Sequence, residues 1–232
     1  MNSRVILVSD DRSSLRSPDT LLWPDAACMR GIHTGEWTAH IFEYAMSFEG
    51  NMTQVRELAA ANGVGVLHPH GALATDPPSL IVCDVDSTVT RTEAIDLLAE
   101  CAGNADEVRE ITARAMVGEL DFTQSLYARV RCLEGLHIGA LEEAWKATVI
   151  TPGTAELVAA AHDVGAAVGL VSGGFTAIVD PLAEQIRADF AASNELEIVD
   201  NHLTGRVVGD IIDRAAKATW LRRWASERGV AL

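Results

Sequence analysis

Two aspartates separated by one residue, Asp84-Val85-Asp86, followed by Ser87-Thr88, are the part of this sequence best suited to chemistry. They come directly after Leu80-Ile81-Val82-Cys83, a continuous apolar run of the kind that forms a parallel strand covered on both faces. Carboxylates at i and i+2 leave a strand end towards the same side. One can attack phosphorus as a nucleophile. The other can deliver a proton and later remove one. Two carboxylates this close do not both ionise easily, so a neighbouring charge is expected to keep Asp86 protonated as an acid. An acidic turn is the competing explanation, because Asp is a turn residue. The apolar run before the pair and the Ser-Thr behind it favour chemistry.

Two further segments could complete such a site. Ser172-Gly173-Gly174-Phe175 follows a second apolar run and is expected to open a helix. Backbone N–H groups at a helix start bind anions, and a serine hydroxyl adds a donor. Taken alone, a strand–helix turn that needs glycine explains the segment as well. Lys217 is placed at the start of the last helix, where a cation gains nothing from the helix dipole. A ligand or a carboxylate would explain it, as would an ordinary surface position.

Composition narrows the alternatives. Apolar residues make up 48% of the 232, without a low-complexity tract, which predicts a globular chain. No apolar run is long enough to span a membrane and no signal peptide is evident, so a cytoplasmic setting is expected. The net charge of −15 argues against a nucleic-acid partner. It also requires a phosphate site to bring its own local positive charge. Cys28, Cys83, Cys101 and Cys132 lack C-x-x-C spacing and read as free buried thiols. His68-Pro69-His70 has no further ligand nearby and makes a poor metal site.

The elements that must position these residues follow from pattern. Val5-Ile6-Leu7-Val8 and Trp37 to Ala45 read as strands, and Thr53 to Ala61 as a helix ended by Gly63. Gly65 to Pro78, rich in Gly and Pro, reads as a linker. From Thr92 to about Trp145 the chain is expected to be helical, with Phe122, Leu126, Val130 and Leu133 forming one apolar stripe. A helix follows Pro152-Gly153, with Leu157, Val158, Ala161 and Val164 facing in, and then a strand over Ala167 to Val171. The next helix is expected to be kinked or split at Pro181. Short strands near Leu196–Val199 and Leu203–Val207 precede a last helix from about Ala215 to Glu227, with Trp220, Leu221 and Trp224 on its apolar side. This order implies an α/β sheet with a helical insertion after its first strand. Ligands in such sheets bind at the carboxyl ends of the strands, where Asp84 and Ser172 both fall.

Taken together, these residues resemble the haloacid dehalogenase superfamily. Its D-x-D-x-T motif is matched by Asp84, Asp86 and Thr88, its strand-end serine by Ser172, and its lysine by Lys217. Within that superfamily the runs DVDSTVTRTEAIDLLAE, AMVGELDFTQSLYARV, SGGF, NELEI and GDIID are similar to the phosphoserine phosphatases, over about residues 79 to 232. The resemblance implies hydrolysis of phosphoserine in two steps, as the last step of serine biosynthesis. Asp84 would be the nucleophile and Asp86 the acid and then the base. Mg²⁺ would be held by the Asp84 carboxylate and the Asp86 main-chain carbonyl. Ser172 and the Gly173 N–H would hold phosphoryl oxygens, and Lys217 would offset the charge gathered around Asp84. Glu93 would take the substrate ammonium and Arg129 its carboxylate, with Met116 and Phe122 walling the site.

The domains implied are an N-terminal α+β unit with linker at 1–77, a Rossmann-like core at 78–90 and 150–232, and a helical cap at 91–149. The superfamily's fourth motif, a G-D-G-x-N-D loop, has no counterpart before Leu232. The reading therefore expects an incomplete C-terminus and leaves the Leu80–Cys83 run as an open sheet edge. It keeps two alternatives: another amino-acid-phosphate phosphatase or phosphotransferase, and a module that binds the substrate without turning it over.

Overall fold

A computed structural model of the protein describes residues 3–9, 27–33, 38–44, 52–69, 71–74 and 76–232. The chain divides into two compact units, Met1–Pro77 and Pro78–Leu232.

The first unit is an antiparallel sheet with one helix. Strands β1 (Ser3–Ser9), β2 (Ala27–His33), β3 (Thr38–Tyr44) and β4 (Gly65–Leu67) lie in the order β2-β3-β1-β4. Helix α1 (Met52–Ala61) precedes β4. Alternation in β1 turns Val5 and Leu7 inward, where they meet Val55, Ala59 and Val64. Two features depart from the pattern-based reading. Gly65-Val66-Leu67 is not linker but a strand, with Leu7 paired to Val66. Strand β2 was not anticipated; it carries a bulge between Cys28 and Arg30. His70 lies outside the described residues.

The second unit is a four-stranded mixed sheet in an α/β arrangement. Strands β5 (Leu80–Cys83), β6 (Ala167–Phe175), β7 (Phe190–Val199) and β8 (His202–Val208) lie in that order. The first three are parallel, and β8 returns antiparallel to β7. Among the described residues β5 pairs with β6 alone and forms one edge of the sheet.

Between β5 and β6 the chain inserts helices α2 (Ala94–Ala102), α3 (Ala105–Met116), α4 (Phe122–Arg131) and α5 (Gly139–Ala147), followed by α6 (Thr154–Asp163). The strands that leave and re-enter the core are tied to each other. Arg91 N–H donates to the Val149 carbonyl and Thr151 N–H to that of Val89, closing the base of the insertion. The inserted helices bury Leu98, Val108, Leu126, Val130 and Leu133 in a cluster that also takes in Phe175, Ile178, Leu196 and Leu203 from the sheet side. Cap and core therefore share one hydrophobic interior.

Several side chains differ from the periodic reading. In α6 Val158 and Ala161 are buried, but Leu157 and Val164 are 48% and 52% exposed. An apolar stripe counted at every third or fourth residue was too wide for a helix that covers only one strand. Strand β6 does not stop at Val171; it runs extended through Ser172-Gly173-Gly174 to Phe175, and α7 (Thr176–Ile186) begins only then. Pro181 sits inside α7 without dividing it, because Ile178, Val179, Leu182 and Ile186 pack on both sides of it. Cys101 is exposed, while Cys83 and Cys132 are half-buried thiols.

The last helix, α8 (Arg214–Glu227), docks on the sheet through Trp224, which is 3% exposed. Its ring stacks on Phe190 at a centroid distance of 5.3 Å and an interplanar angle of 12°. The indole lies over Gly169, where an added Cβ would come within 2.8 Å of Cε3 and Cζ3. Only glycine leaves room for it. We predict that Gly169→Ala lowers stability by about 1–3 kcal/mol, the range for overpacking a filled core. The urea midpoint would fall at unchanged slope; an unshifted midpoint would show that Trp224 gives way freely.

Candidate active site

Asp84 leaves the end of β5 and is held from two directions. Its Oδ1 accepts the Val85 N–H at 2.9 Å and the Lys217 Nζ at 2.7 Å. Lys217 can reach it because α8 starts beneath the cleft, with Asp213 capping the helix through the Ala216 N–H at 2.8 Å. Trp224, seven residues further along α8, anchors the same helix face to the sheet.

After Asp84 the chain makes one wide turn, closed by Thr90 N–H donating to the Val85 carbonyl at 3.0 Å. Ser87 adopts a left-handed conformation, φ 57°, within it. A non-glycine residue there costs about 1–2 kcal/mol. The hydroxyl of Ser87 donates to Glu93 Oε1 at 3.0 Å, and Glu93 in turn stands at the N-terminus of α2.

Asp86 is held differently. Oδ1 accepts the Ala94 N–H, one of the free amides at the start of α2, at 3.0 Å. Oδ2 accepts the Ser172 hydroxyl at 3.0 Å. Burial nevertheless pushes this carboxyl above the usual aspartate range. Those two hydrogen bonds oppose the shift, and Glu93 and Asp84 add to it. A carboxyl so placed holds its proton to higher pH than a carboxyl in water, as a general acid must.

A cavity of about 180 Å³ opens over this pair. Of the residues singled out from sequence, Asp84, Asp86, Glu93, Phe122, Arg129, Gly173 and Lys217 line it. Ser172, fully buried, lies under it against Asp86. Met116 does not: it is 82% exposed at the end of α3, so in this conformation the cap is not walled by it. Phe122 leads α4 and is 40% exposed, not part of the buried stripe of Leu126 and Val130. Its ring reaches down to Gly173, where an added Cβ would meet Cζ at 2.7 Å. The Arg129 guanidinium is drawn below its ordinary value by burial, against which Glu93, Asp96 and Asp86 act. It remains a cation, since arginine does not deprotonate in proteins.

Further residues complete the site: Gly174, from the segment already singled out, and Ile95, Leu126 and Asn194 besides. Gly174 donates its N–H to Ser172 Oγ at 2.8 Å, and a Cβ there would come within 2.6 Å of Asp86 Oδ2. Ile95 and Leu126 supply apolar wall. Asn194 of β7 is 1% exposed and holds the Gly173 carbonyl. An amide at an inward-facing position of β7, between Ala192 and Leu196 on the same face, was the available signal for it.

Residues 81–232 match the haloacid dehalogenase-like hydrolase family. The chain belongs to that family. It is 49% identical over 174 residues to a phosphoserine phosphatase of Streptomyces coelicolor, an alignment covering 75% of this chain and 42% of the relative. This chain thus spans well under two thirds of that relative's length. A crystal structure of a probable phosphoserine phosphatase from Vibrio cholerae superposes with a TM-score of 0.77 at 32% identity, over 98% of this chain and 70% of the other. A phospho-aspartyl intermediate analogue of phosphoserine phosphatase superposes with a TM-score of 0.63 at 38% identity, over 68% and 75%. No described helix is long and apolar enough to cross a membrane.

The donor set bears on a magnesium ion. Both Asp86 carboxylate oxygens are engaged by Ala94 and Ser172, so this side chain is not free to ligate. Asp84 Oδ1 is taken by Val85 and Lys217, which leaves Oδ2 and the Asp86 main-chain carbonyl. No group of three or more metal-ligating side chains occurs among the described residues. Two oxygens suit Mg²⁺, which keeps several waters and takes substrate phosphate oxygens rather than an all-protein cage.

The hydrogen bond from Ser172 favours the ionised form of Asp86. Removing it in Ser172→Ala should therefore raise the Asp86 carboxyl further above the ordinary aspartate value. Carboxyl ¹³C titration of the metal-free protein would read both states; a fall on substitution would contradict the geometry.

Proposed function

We propose that this chain carries the catalytic site of a phosphoserine phosphatase, hydrolysing O-phosphoserine to serine and phosphate through an aspartyl-phosphate at Asp84. The observation that carries the reading is the unequal treatment of the two aspartates beneath a cap that offers one carboxylate and one guanidinium. Asp84 faces an ammonium at 2.7 Å, while Asp86 is buried and pushed towards its neutral form. That is the division of labour a nucleophile and an acid require.

In the first step the Asp84 carboxylate attacks phosphorus as the bond to the serine oxygen breaks. Asp86 gives its proton to that oxygen. In the second step Asp86, now a carboxylate held by Ala94 and Ser172, takes a proton from the water that attacks the aspartyl-phosphate. Lys217 and the N–H of Gly173 would face phosphoryl oxygens; the amide of Gly174 is already committed to Ser172. The Asp84 carboxylate and the Asp86 carbonyl would hold Mg²⁺, which when bound would supply positive charge against the phosphoryl oxygens. The relatives named above support this reading, the phospho-aspartyl analogue especially.

Across the cleft, Glu93 and Arg129 bear opposite charges, as the ammonium and carboxylate of an α-amino acid require. Phe122 over Gly173 screens the reacting centre from water.

Two substitutions test the assignment. Asp84→Asn should abolish phosphoserine hydrolysis and prevent trapping of a beryllofluoride adduct; a variant that still forms the phosphoenzyme would exclude Asp84 as nucleophile. Arg129→Ala should cost about 1.5–3 kcal/mol of transition-state stabilisation for phosphoserine, read from kcat/KM, the range for a hydrogen bond to a charged group. Phosphoethanolamine and p-nitrophenyl phosphate, which lack the carboxylate, should be little affected. Equal losses on all three would make Arg129 structural or a phosphate ligand.

A further inference from the structure

Beneath the cleft a single buried amide joins the two arms of the site. The β6–β7 ladder lapses between Val171 and Phe175 and resumes with Phe175 opposite Asn194. Within the gap Asn194 Nδ2 donates to the Gly173 carbonyl at 2.8 Å. On its other side Asn194 Oδ1 accepts the Ile212 N–H at 2.8 Å. The amide has only one workable orientation, since a carbonyl can only accept and a backbone N–H can only donate.

The carbonyl of Gly173 and the N–H of Gly174 belong to one planar peptide unit. Fixing the carbonyl therefore aims the N–H, which donates to Ser172 Oγ at 2.8 Å. With that lone pair occupied, the Ser172 hydroxyl turns its proton to Asp86 Oδ2 at 3.0 Å. A directed chain thus runs from Asn194 through one peptide and one hydroxyl to the acid. The second arm holds Ile212 immediately before Asp213, the cap of α8, and Lys217 follows one turn later against Asp84.

We infer that Asn194 is a positioning residue for leaving-group protonation: it fixes the Gly173–Gly174 peptide, and through Ser172 it aims the Asp86 carboxyl at the departing oxygen. This rests on the role of Asp86 under the proposed function. A merely structural Asn194 would weaken every substrate alike. A positioning residue acts according to how much protonation the leaving group needs. Serine and ethanolamine leave as poor alkoxides, whereas p-nitrophenolate departs without an acid.

The test compares Asn194→Ala, whose cavity admits a water, and Asn194→Ser with the parent chain. Both are first checked for a native thermal transition. Their kcat/KM for phosphoserine and phosphoethanolamine should fall roughly tenfold or more, within the range of general-acid effects, and that for p-nitrophenyl phosphate by less than about threefold. Equal losses on the three substrates, or no loss, would overturn the inference. Arg129→Ala gives a different pattern, because it spares phosphoethanolamine. Amide hydrogen exchange of the parent chain provides a readout that needs neither activity nor a folded variant. The Gly174 amide should be protected, and in a folded Asn194→Ala it should exchange roughly tenfold faster. A Gly174 amide that exchanges like an open loop would overturn the relay even if turnover is normal. A parent chain that hydrolyses none of the three substrates yet protects Gly174 would instead defeat the proposed function and leave the relay standing.

Discussion

Two aspartates two residues apart at one strand end can be useful only if their surroundings differ. Left alike, they would repel each other and compete for one proton. The second unit can be understood as the apparatus that makes them unlike. Asp84 receives the Lys217 ammonium from α8, in an ion pair that stays partly open to solvent. Asp86 receives two fixed dipoles, from the start of α2 and from Ser172, in a place burial makes unfavourable for charge. These contacts come from residues 8, 86 and 133 positions away along the chain. A short local motif cannot create that asymmetry; only the fold can.

The means are largely steric. Gly174 is glycine because a Cβ would stand on the Asp86 carboxylate, and Gly169 is glycine because Trp224 occupies the space. The first permits the Ser172–Asp86 contact. The second lets α8 approach closely enough for Lys217 to reach Asp84. Both glycines lie in β6, the strand next to the edge, and they face different needs five residues apart.

What sequence could reveal follows from this. The strand-end aspartates, the serine and the lysine stood out because each is a chemically conspicuous side chain at an interruption of apolar pattern. The strands β5 and β6 and the helical character of the insertion were legible for the same reason, whereas its division into four helices and the start of β7 at Phe190, against a strand expected near Leu196–Val199, were not. Nor were short elements. Three residues, Gly65-Val66-Leu67, are too few for a period, and their glycine suggests a loop, yet β1 offers them partners. The bulge in β2 breaks alternation within a seven-residue strand. Ser172-Gly173-Gly174 looked like a turn because glycine usually marks one, whereas here it permits an extended backbone to pass close to Asp86 and Phe122. Asn194 was the hardest to see, since its importance comes from two main-chain groups that sequence does not bring near it.

The same logic applies to the cap. Its lower edge is not free: Gly135 N–H donates to the Leu203 carbonyl, Leu203 N–H to that of Leu136, and Ile138 N–H to that of Asn201. The hairpin that provides these groups turns through Asp200 and Asn201, both left-handed at φ 49° and 61°, the conformation that matches the twist of a two-residue hairpin loop. Gly205, also left-handed, lets β8 pass within 3.3 Å of the Arg131 Cα, measured from where a Cβ would stand. Rigid-body swinging of the whole cap would have to break this seam and expose the shared core around Leu133 and Leu203. The α3–α4 connection is held by its own residues: Glu119 N–H donates to the Arg114 carbonyl at 3.0 Å, and Arg114 Nε donates to Glu119 Oε2 at 3.0 Å. Met116 and Val117 are 82% and 75% exposed there, and Gly118 carries a positive φ. The seam with β8 and the shared core thus tie the cap to the sheet beside α4, the helix that carries Arg129.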